Sequence, residues 1–268
     1  MAKLRTLDLF AGIGGFSLGL EKTGGFETVA FCEIEEYPRK VLAKHWPDVP
    51  CYRDVRELTA AKLAADGIAV DVITGGFPCQ DISLAGRGAG LAGEKSGLWA
   101  EIARLASELR PSFIVLENVS ALLGRGLDRV LADLAALGYD AEWECLGAHA
   151  VGAPHIRDRI WIVAYPDSEQ HEGSRVAFCG QGAHQLSRAD TCIGRHWLAS
   201  GKVSSGWHGP FYGDGWAAEP NVGRVADGVP GRVDRLKSLG NAVVPQIPEL
   251  IGHAILESRS TPASQHKD

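Results

Sequence analysis

The sequence predicts an α/β protein built on a doubly wound sheet with one small irregular region. Apolar runs of strand length alternate with amphipathic helical segments through most of the first 166 residues. Glycine-rich turns follow several of the predicted strands. Acidic or reactive residues stand where those strands end, which is where open α/β sheets bind their ligands. The 268 residues are enough for one large α/β domain with an inserted or appended piece.

The composition predicts a protein of the reducing cytoplasm. The chain starts with a strand rather than a signal peptide, and no apolar run approaches the roughly 18 residues of a membrane helix. Its six cysteines are scattered, unlike a disulfide framework. The net charge of −6 does not by itself suggest nucleic acid. The positive residues between 150 and 240 are nevertheless mostly arginines, which suit phosphate and base-edge contacts.

The first predicted strand, Leu4 to Phe10, leads into a glycine-rich turn. Gly12, Gly14 and Gly15 would let the backbone approach a nucleotide-like ligand at a helix N-terminus. The third glycine of the dinucleotide fingerprint is missing, which disfavours a pyrophosphate site.

The next two predicted strands also end in carboxylates. Phe26 to Cys32 is followed by Glu33, at the position where doubly wound folds bind ribose hydroxyls. A short strand over Cys51 to Val55 places Asp54 at its end. Both acids are therefore expected at the ligand-binding edge of the sheet.

The fourth strand, from Val70 to Thr74, stops at two glycines and runs directly into Pro78-Cys79-Gln80. A cysteine on a rigid loop beyond a strand end is a candidate nucleophile, and its thiolate is the reactive form. A small buried hydrophobe is the alternative reading of Cys79. The glycine-rich stretch from Gly86 to Gly93 is either a loop that closes over a substrate or a surface linker.

The fifth strand supplies a second candidate catalytic group. An amphipathic helix over Gly97 to Leu109 precedes the apolar strand Phe113 to Leu116, which ends at Glu117. Consecutive strands are usually neighbours, so Glu117 is expected beside the Cys79 strand. A carboxyl in an apolar pocket has a raised pKa and can serve as an acid.

Two further strands are predicted from Ala141 to Ala148 and from Ile156 to Ala164. Arg157 and Arg159 alternate on one face of the second strand. They are either exposed partners of Asp158 and its neighbours or ligands of an anionic or carbonyl-rich substrate.

The sequence divides into a part of alternating strands and helices over 1–166, an irregular region over 167–222, which is either a small recognition domain or a partly disordered insertion, and a return segment over 223–268. The middle region is polar and lacks long periodic elements, which in a compact domain usually marks a functional insertion. The return segment contains a charged helix-capable stretch over 224–239, a tight turn over 240–245 and a final helix over 246–257. No metal is predicted, because the spacing of the possible zinc ligands is unfamiliar. Those residues are Cys179, His184, Cys192 and His196.

Taken in order, these motifs resemble those of the bacterial and phage DNA (cytosine-5) methyltransferases, whose fold is a Rossmann-like methyltransferase sheet. The matching stretches are residues 8–16, Glu33, Asp54-Val55, residues 76–80, Glu117-Asn118-Val119, Arg157-Asp158-Arg159 and residues 240–245. The paired-arginine motif is preceded by His155-Ile156, where the family usually has Gln-Arg or Gln-Lys.

The resemblance implies S-adenosyl-L-methionine as the cofactor and a flipped-out cytosine of double-stranded DNA as the substrate. It makes 1–166 the catalytic and S-adenosyl-L-methionine-binding domain, 167–222 the target-recognition region, and 223–268 the return segment whose final helix completes the catalytic domain. It implies a catalytic set of Cys79, Glu117, Arg157 and Arg159. The implied cofactor-binding residues are Asp8, Phe10, Gly12, Gly14, Gly15, Glu33, Ile34, Asp54, Val55, Pro78, Leu98, Asn241 and Ala242. A cytoplasmic monomer, with or without a cognate restriction endonuclease, is the expected setting.

Three alternatives remain open at the level of sequence. The same chemistry acts on tRNA in one branch of the family. A nicotinamide- or flavin-dependent oxidoreductase would use a similar sheet, although the incomplete glycine fingerprint and the Pro-Cys-Gln loop count against it. A non-catalytic DNA-binding relative would have no chemical need for Cys79, Glu117 and Arg159 together.

Overall fold

The computed structural model describes residues 2–78, 97–153, 155–167 and 232–260. Their strands form one sheet and comprise β1 (Leu4–Leu9), β2 (Phe26–Cys32), β3 (Cys51–Tyr52), β4 (Val72–Gly76), β5 (Phe113–Val119), β6 (Tyr139–Gly147) and β7 (Asp158–Pro166). Their α-helices are α1 (Gly15–Lys22), α2 (Glu36–His45), α3 (Ala60–Ala65), α4 (Gly97–Leu109), α5 (Leu127–Ala136), α6 (Arg232–Asn241) and α7 (Gln246–Ser260). No helix within these ranges is long and apolar enough to cross a bilayer.

The strand order is β3-β2-β1-β4-β5-β7-β6, and it confirms the predicted doubly wound sheet. Strands β1 to β5 pair in parallel, whereas β7 runs antiparallel to both β5 and β6. The order reverses between β1 and β4, which lie side by side with β2 and β5 as their outer neighbours. Ligands of such sheets bind outside the carboxyl ends of the strands at this reversal.

The core consists of two apolar layers, one on each face of the sheet. Leu7, Ile73 and Leu116 face the helices α3 to α5 and are fully buried. Val115 and Trp161 face α1 and α7 on the opposite side. Burying each such side chain contributes roughly 1.5–3 kcal/mol, so the sheet is a rigid platform for the loops at its edge.

Several predicted boundaries are confirmed, and others are wrong. Strand β4 begins at Val72 rather than Val70 and runs through Gly75 and Gly76, where the sequence predicted its end. The strand over residues 26–32 and the helix over residues 97–109 match β2 and α4. The third strand ends at Tyr52, because Asp54 instead accepts hydrogen bonds from the backbone and guanidinium of Arg56 and starts a turn. Arg157 precedes β7 rather than lying in it. Gly240 belongs to α6 rather than to a tight turn.

Glycines in α1 allow the last helix to pack against the first. A Cβ on Gly19 would lie 2.1 Å from the carbonyl oxygen of Pro245, and one on Gly15 would lie 2.7 Å from that of Val243. On the facing helix, a Cβ on Gly252 would lie 2.9 Å from a Thr23 methyl group. The two helices therefore meet at backbone distance, and the return segment completes the layer over α1.

Gly19→Ala is expected to destabilise the protein by roughly 1–3 kcal/mol, because the added methyl group meets backbone that cannot rotate away. The gain in helix propensity, about 1 kcal/mol, works against this loss. Urea unfolding of the full chain measures the difference. Gly97→Ala is the matched control, since a Cβ on this helical glycine meets no atom of the described residues within 4 Å. Equal stabilities of the Gly19 and Gly97 variants would contradict the close packing.

Candidate active site

The glycine-rich turn after β1 and the acid after β2 form one structural unit. Glu33 is 7 % exposed, and one of its carboxylate oxygens accepts the N–H of Gly12 at 2.7 Å. The other oxygen accepts the N–H of Glu35 at 2.8 Å. The two predicted cofactor-binding elements are thus joined directly. Contact of Glu33 with a ribose stays a prediction.

Backbone conformation shapes this turn for a close approach. Gly12 and Gly14 have φ values of 53° and 86°, in the left-handed region that favours glycine. Phe10 has φ 53°, a costly conformation for a bulky residue and one that concentrates at functional sites. A Cβ on Gly12 would meet no atom of the described part of the chain within 4 Å, whereas one on Gly14 would lie 2.7 Å from the ring of Trp46. The turn is therefore packed on the Trp46 side and open at Gly12.

Asp8 lies beneath this turn and is fully buried. One carboxylate oxygen accepts the hydroxyl of Ser17 in α1 at 2.9 Å, and the other accepts that of Thr74 in β4 at 2.8 Å. Burial raises the pKa of Asp8 to about 7 despite these hydrogen bonds. Asp8 therefore links the start of α1 to the strand that leads to Pro78-Cys79. Neither Ser17 nor Thr74 carried a sequence signal for this role.

The wild type is expected to lose stability as the pH rises, and Asp8→Asn is expected to remove this pH dependence. The folded-state pKa near 7 lies above the ordinary value of 3.8, so the folded protein holds the proton more tightly than the unfolded chain. The stabilisation from the protonated form is complete below the unfolded pKa and is lost as the pH rises through about 7. Between pH 5 and pH 8 the wild type should lose roughly 2–3 kcal/mol relative to the variant.

Urea unfolding at a series of pH values measures this difference. Asp71→Asn is the control, because the hydrogen bond from Arg5 lowers the pKa of Asp71 and its effect should be flat from pH 5 to pH 8. A flat difference between wild type and Asp8→Asn over the same range would contradict a neutral buried Asp8.

Glu117 and Arg159 form an ion pair at the carboxyl end of β5. Glu117 Oε1 lies 2.8 Å from Arg159 Nε, and the two side chains are 12 % and 22 % exposed. Burial raises the pKa of Glu117, while the positive charges of Arg159 and Arg157 act in the opposite direction. The facing residue of β4 is Gly76, where a Cβ would lie 3.2 Å from Glu117 Oε2. The glycine leaves room for a carboxyl that the sheet has largely removed from water.

Arg157 connects this corner to the return segment. Its guanidinium donates to the carbonyl oxygen of Gly240, at the end of α6, over 2.6 Å. Lys237 on the same helix lies 2.9 Å from Glu35, which follows the Glu33 strand end. The paired arginines thus have different partners. Arg159 contacts the carboxylate of Glu117, whereas Arg157 donates to the backbone of the last motif at Gly240.

Asn118 holds the base of the loop that carries Cys79. Its amide donates to the carbonyl oxygen of Phe77 at 2.8 Å, and its own oxygen accepts the N–H of Val119 at 2.9 Å. The ring of Phe77 packs against Trp99, with centroids 5.4 Å apart. The sequence motif that contains Asn118 predicts no role for this residue, and its partner Phe77 becomes evident only in the fold. Residues 79–96, Cys79 and the Gly86 to Gly93 stretch among them, lie outside the described residues.

The remaining predicted cofactor residues surround the same edge of the sheet without forming one contact set. Val55 is buried, and Leu98 packs against the same apolar cluster. Ile34 is 54 % exposed beside Glu33. The other three predicted residues are Pro78, which is exposed, Asn241 at the exposed end of α6, and the half-buried Ala242. Their roles stay predictions.

Comparison with known proteins decides the family. The family model for the C-5 cytosine-specific DNA methylase matches residues 4–188 of this chain. The chain belongs to this family. The match covers the glycine-rich turn, the Cys79 motif, Glu117 and both arginines, Arg157 and Arg159. It favours the methylase over the oxidoreductase interpretation.

Curated relatives of this chain are Type II methyltransferases. The chain is 38 % identical over 162 residues to M.CviJI of Paramecium bursaria Chlorella virus IL3A, with 60 % of this chain and 42 % of the relative covered. It is 36 % identical over 167 residues to M.HgiBI of Herpetosiphon aurantiacus, covering 61 % and 37 %. The chain thus matches less than half of the length of either relative.

Solved structures share the fold. A protein described as a DNA modification methyltransferase encoded within an E. coli prophage is 26 % identical, with a TM-score of 0.54 over 70 % of this chain and 54 % of that one. The Dnmt2 methyltransferase of S. pombe is 18 % identical, with a TM-score of 0.53 over 72 % and 54 %. At 18 % identity the second likeness concerns the fold alone.

The described part of the chain offers no cluster of three or more His, Cys, Asp or Glu side chains suited to a metal ion. The four possible zinc ligands between Cys179 and His196 lie outside the described residues. The absence of a metal there therefore stays a prediction from the sequence.

Proposed function

We propose that this protein transfers a methyl group from S-adenosyl-L-methionine to C5 of a flipped-out cytosine in double-stranded DNA, through a covalent bond between Cys79 and C6. The observation that carries the proposal is the buried Glu117–Arg159 pair beside Gly76, two residues before Pro78-Cys79. Membership of the cytosine-specific DNA methylase family supports the choice of base.

The residues after β1 and β2 fit the cofactor. The turn is open at Gly12, where a side chain would otherwise stand, and α1 begins at Gly15 with its N–H groups directed towards this edge. Glu33 would bind the ribose, while Asp54, Val55, Ile34 and Leu98 would hold the adenine. Bound there, S-adenosyl-L-methionine supplies an electrophilic methyl group.

The cytosine ring needs activation before C5 can accept that methyl group. We assign Cys79 to attack C6 as a thiolate, which moves the electrons of the 5,6 double bond towards C5. Glu117, kept protonated more readily by its burial, donates a hydrogen bond or proton to N3 and limits negative charge on the ring. Loss of the C5 proton and expulsion of the Cys79 thiolate then restore the aromatic ring.

The arginines would position the base rather than transfer protons. Arg159 already lies on Glu117, so a cytosine bound to the same carboxyl would bring its carbonyl oxygen within reach of the guanidinium. Arg157 would hold the return segment, through Gly240, at the side of the base pocket. A base inside a duplex cannot reach this corner and must be flipped out, which costs a few kcal/mol of unstacking, a typical magnitude.

Transfer of labelled methyl groups from S-adenosyl-L-methionine to unmethylated double-stranded DNA tests the proposal. Alkali-stable label recovered as 5-methylcytosine is the expected result, and tRNA as a parallel substrate distinguishes the two polymers. Label in tRNA alone would move the substrate and keep the chemistry. Absence of label from both polymers would contradict the proposed activity. A cognate endonuclease, in line with the Type II relatives, is part of the proposal for the whole system.

A further inference from the structure

Arg104 extends from α4 to the backbone that follows β3. Its Nη2 donates to the carbonyl oxygens of Val55 at 3.0 Å and of Leu58 at 2.8 Å. Two carboxylates on the same helix fix the guanidinium, with Glu101 2.8 Å from Nε and Glu108 2.7 Å from Nη1. We call these three α4 side chains, Glu101, Arg104 and Glu108, the α4 bracket.

The segment held by the bracket is anchored to the core through the buried side chains of Val55 and Leu58, and it has no strand partner among the described residues. β3 pairs with β2 only through Cys51 and Tyr52, so the chain from residue 53 to residue 59 lies beyond the sheet. Glu108 holds its far end, because its second oxygen accepts the N–H of Ala60, at the start of α3, at 2.8 Å. The bracket thus ties both ends of the turn to α4.

Helix α4 also carries a residue that packs against the same apolar cluster as the turn. Val55 is 4 % exposed and belongs to the apolar cluster against which Leu98, near the start of α4, packs. Arg104 lies less than two helical turns after Leu98. The bracket therefore sets the distance between the Val55 turn and the Leu98 end of α4.

We propose that Arg104 is a positioning residue for the adenine end of the cofactor, holding the Asp54-Val55 turn in the place where it distinguishes adenine from other purines. The inference rests on the proposed function, because it takes S-adenosyl-L-methionine as the ligand. It adds a residue that does not itself touch the cofactor.

The contacts require arginine rather than a positive charge. One planar guanidinium serves two carbonyls and two carboxylates at once through separate N–H groups. A lysine ammonium presents three donors from one atom and cannot span these four acceptors. Arg104→Lys therefore keeps the charge and the helix but releases the turn.

Calorimetric titration of the full chain with S-adenosylhomocysteine and with its inosine analogue tests the inference. Arg104→Lys is expected to raise the Kd for S-adenosylhomocysteine about tenfold and to reduce the preference for adenine over hypoxanthine. Arg129→Lys on α5 is the matched control, because Arg129 pairs with Asp133 four residues along its own helix at 2.7 Å. That variant should bind within about twofold of wild type.

The base preference separates positioning from general weakening, since a merely less stable protein would lose both ligands in proportion. Glu108→Gln retains the guanidinium of Arg104 and should raise the Kd for S-adenosylhomocysteine about threefold. This variant tests the inference if Arg104→Lys does not fold. Unchanged Kd and preference in the variants, with normal wild-type binding, would overturn this inference alone. No binding by the wild type would overturn the proposed function together with it.

Discussion

Cys79→Ser is expected to abolish methyl transfer while leaving cofactor binding within about twofold of wild type. A serine hydroxyl is a far weaker nucleophile than a thiolate, and without attack on C6 the C5 carbon has no electron pair to offer. Loss of a nucleophile of this kind costs roughly four or more orders of magnitude in turnover. Single-turnover transfer of labelled methyl groups to DNA, beside titration with S-adenosylhomocysteine, measures both quantities.

Cys145→Ser provides the control for this variant. Cys145 is an exposed free cysteine on β6, the edge strand, and its replacement should leave the rate unchanged. DNA that carries 5-fluorocytosine at the target adds a direct test of the covalent bond, because fluorine cannot leave C5 as a proton does. A stable protein–DNA complex is expected from wild type and none from Cys79→Ser. Parallel loss of cofactor binding and turnover in Cys79→Ser would instead indicate a structural cysteine.

Glu117→Gln is expected to slow methyl transfer by roughly two to four orders of magnitude. The amide keeps the shape of the side chain, and its oxygen still accepts a hydrogen bond from Arg159. It has no carboxyl proton to share with N3, so negative charge would build up on the ring as the thiol adds. The rate of the chemical step in a single turnover is the relevant measurement, because product release would mask the effect in the steady state.

Glu144→Gln is a closely matched control. Trp161 in β7 pairs with Glu117 on one side and with Glu144 on the other, so both carboxyls face the same side of the sheet. Burial raises the pKa of both. Only Glu117 adjoins Gly76 and lies in an ion pair with Arg159. A near-normal rate for Glu117→Gln, or an equal loss for Glu144→Gln, would remove the assigned role.

Sequence reasoning identified those parts of the fold that depend on local patterns. The run from Phe26 to Cys32 is mostly apolar, is bounded by glycines before it and an acid after it, and forms β2 with the same limits. The strand at Cys51 was drawn too long, since the contact between Asp54 and Arg56 that ends it depends on side-chain geometry. The antiparallel direction of β7 depends on pairing with β5, which lies about forty residues earlier in the chain.

In the candidate site, too, some features follow from local sequence patterns and others depend on tertiary contacts. Glu117 was predicted from its place after an apolar strand, and the structure indeed gives it a buried position beside β4. The partners of Asp8 and of Arg104 lie in other elements of the chain, with no motif that marks them. Contacts of this kind follow from the packed sheet, so they become visible only once the strands have been placed.

The close packing of α1 on the return segment has a consequence for synthesis of the protein on the ribosome. Gly19 and Pro245, whose backbones meet, are 226 residues apart in the chain. At roughly 5–20 residues per second, synthesis of the intervening chain takes about 10 to 45 s, and the apolar side of α1 stays unpacked for that time. During that interval Phe16 and Leu20 lack the apolar cover of the last helix and are accessible to chaperones. The nascent chain cannot close its first layer until the return segment has been translated.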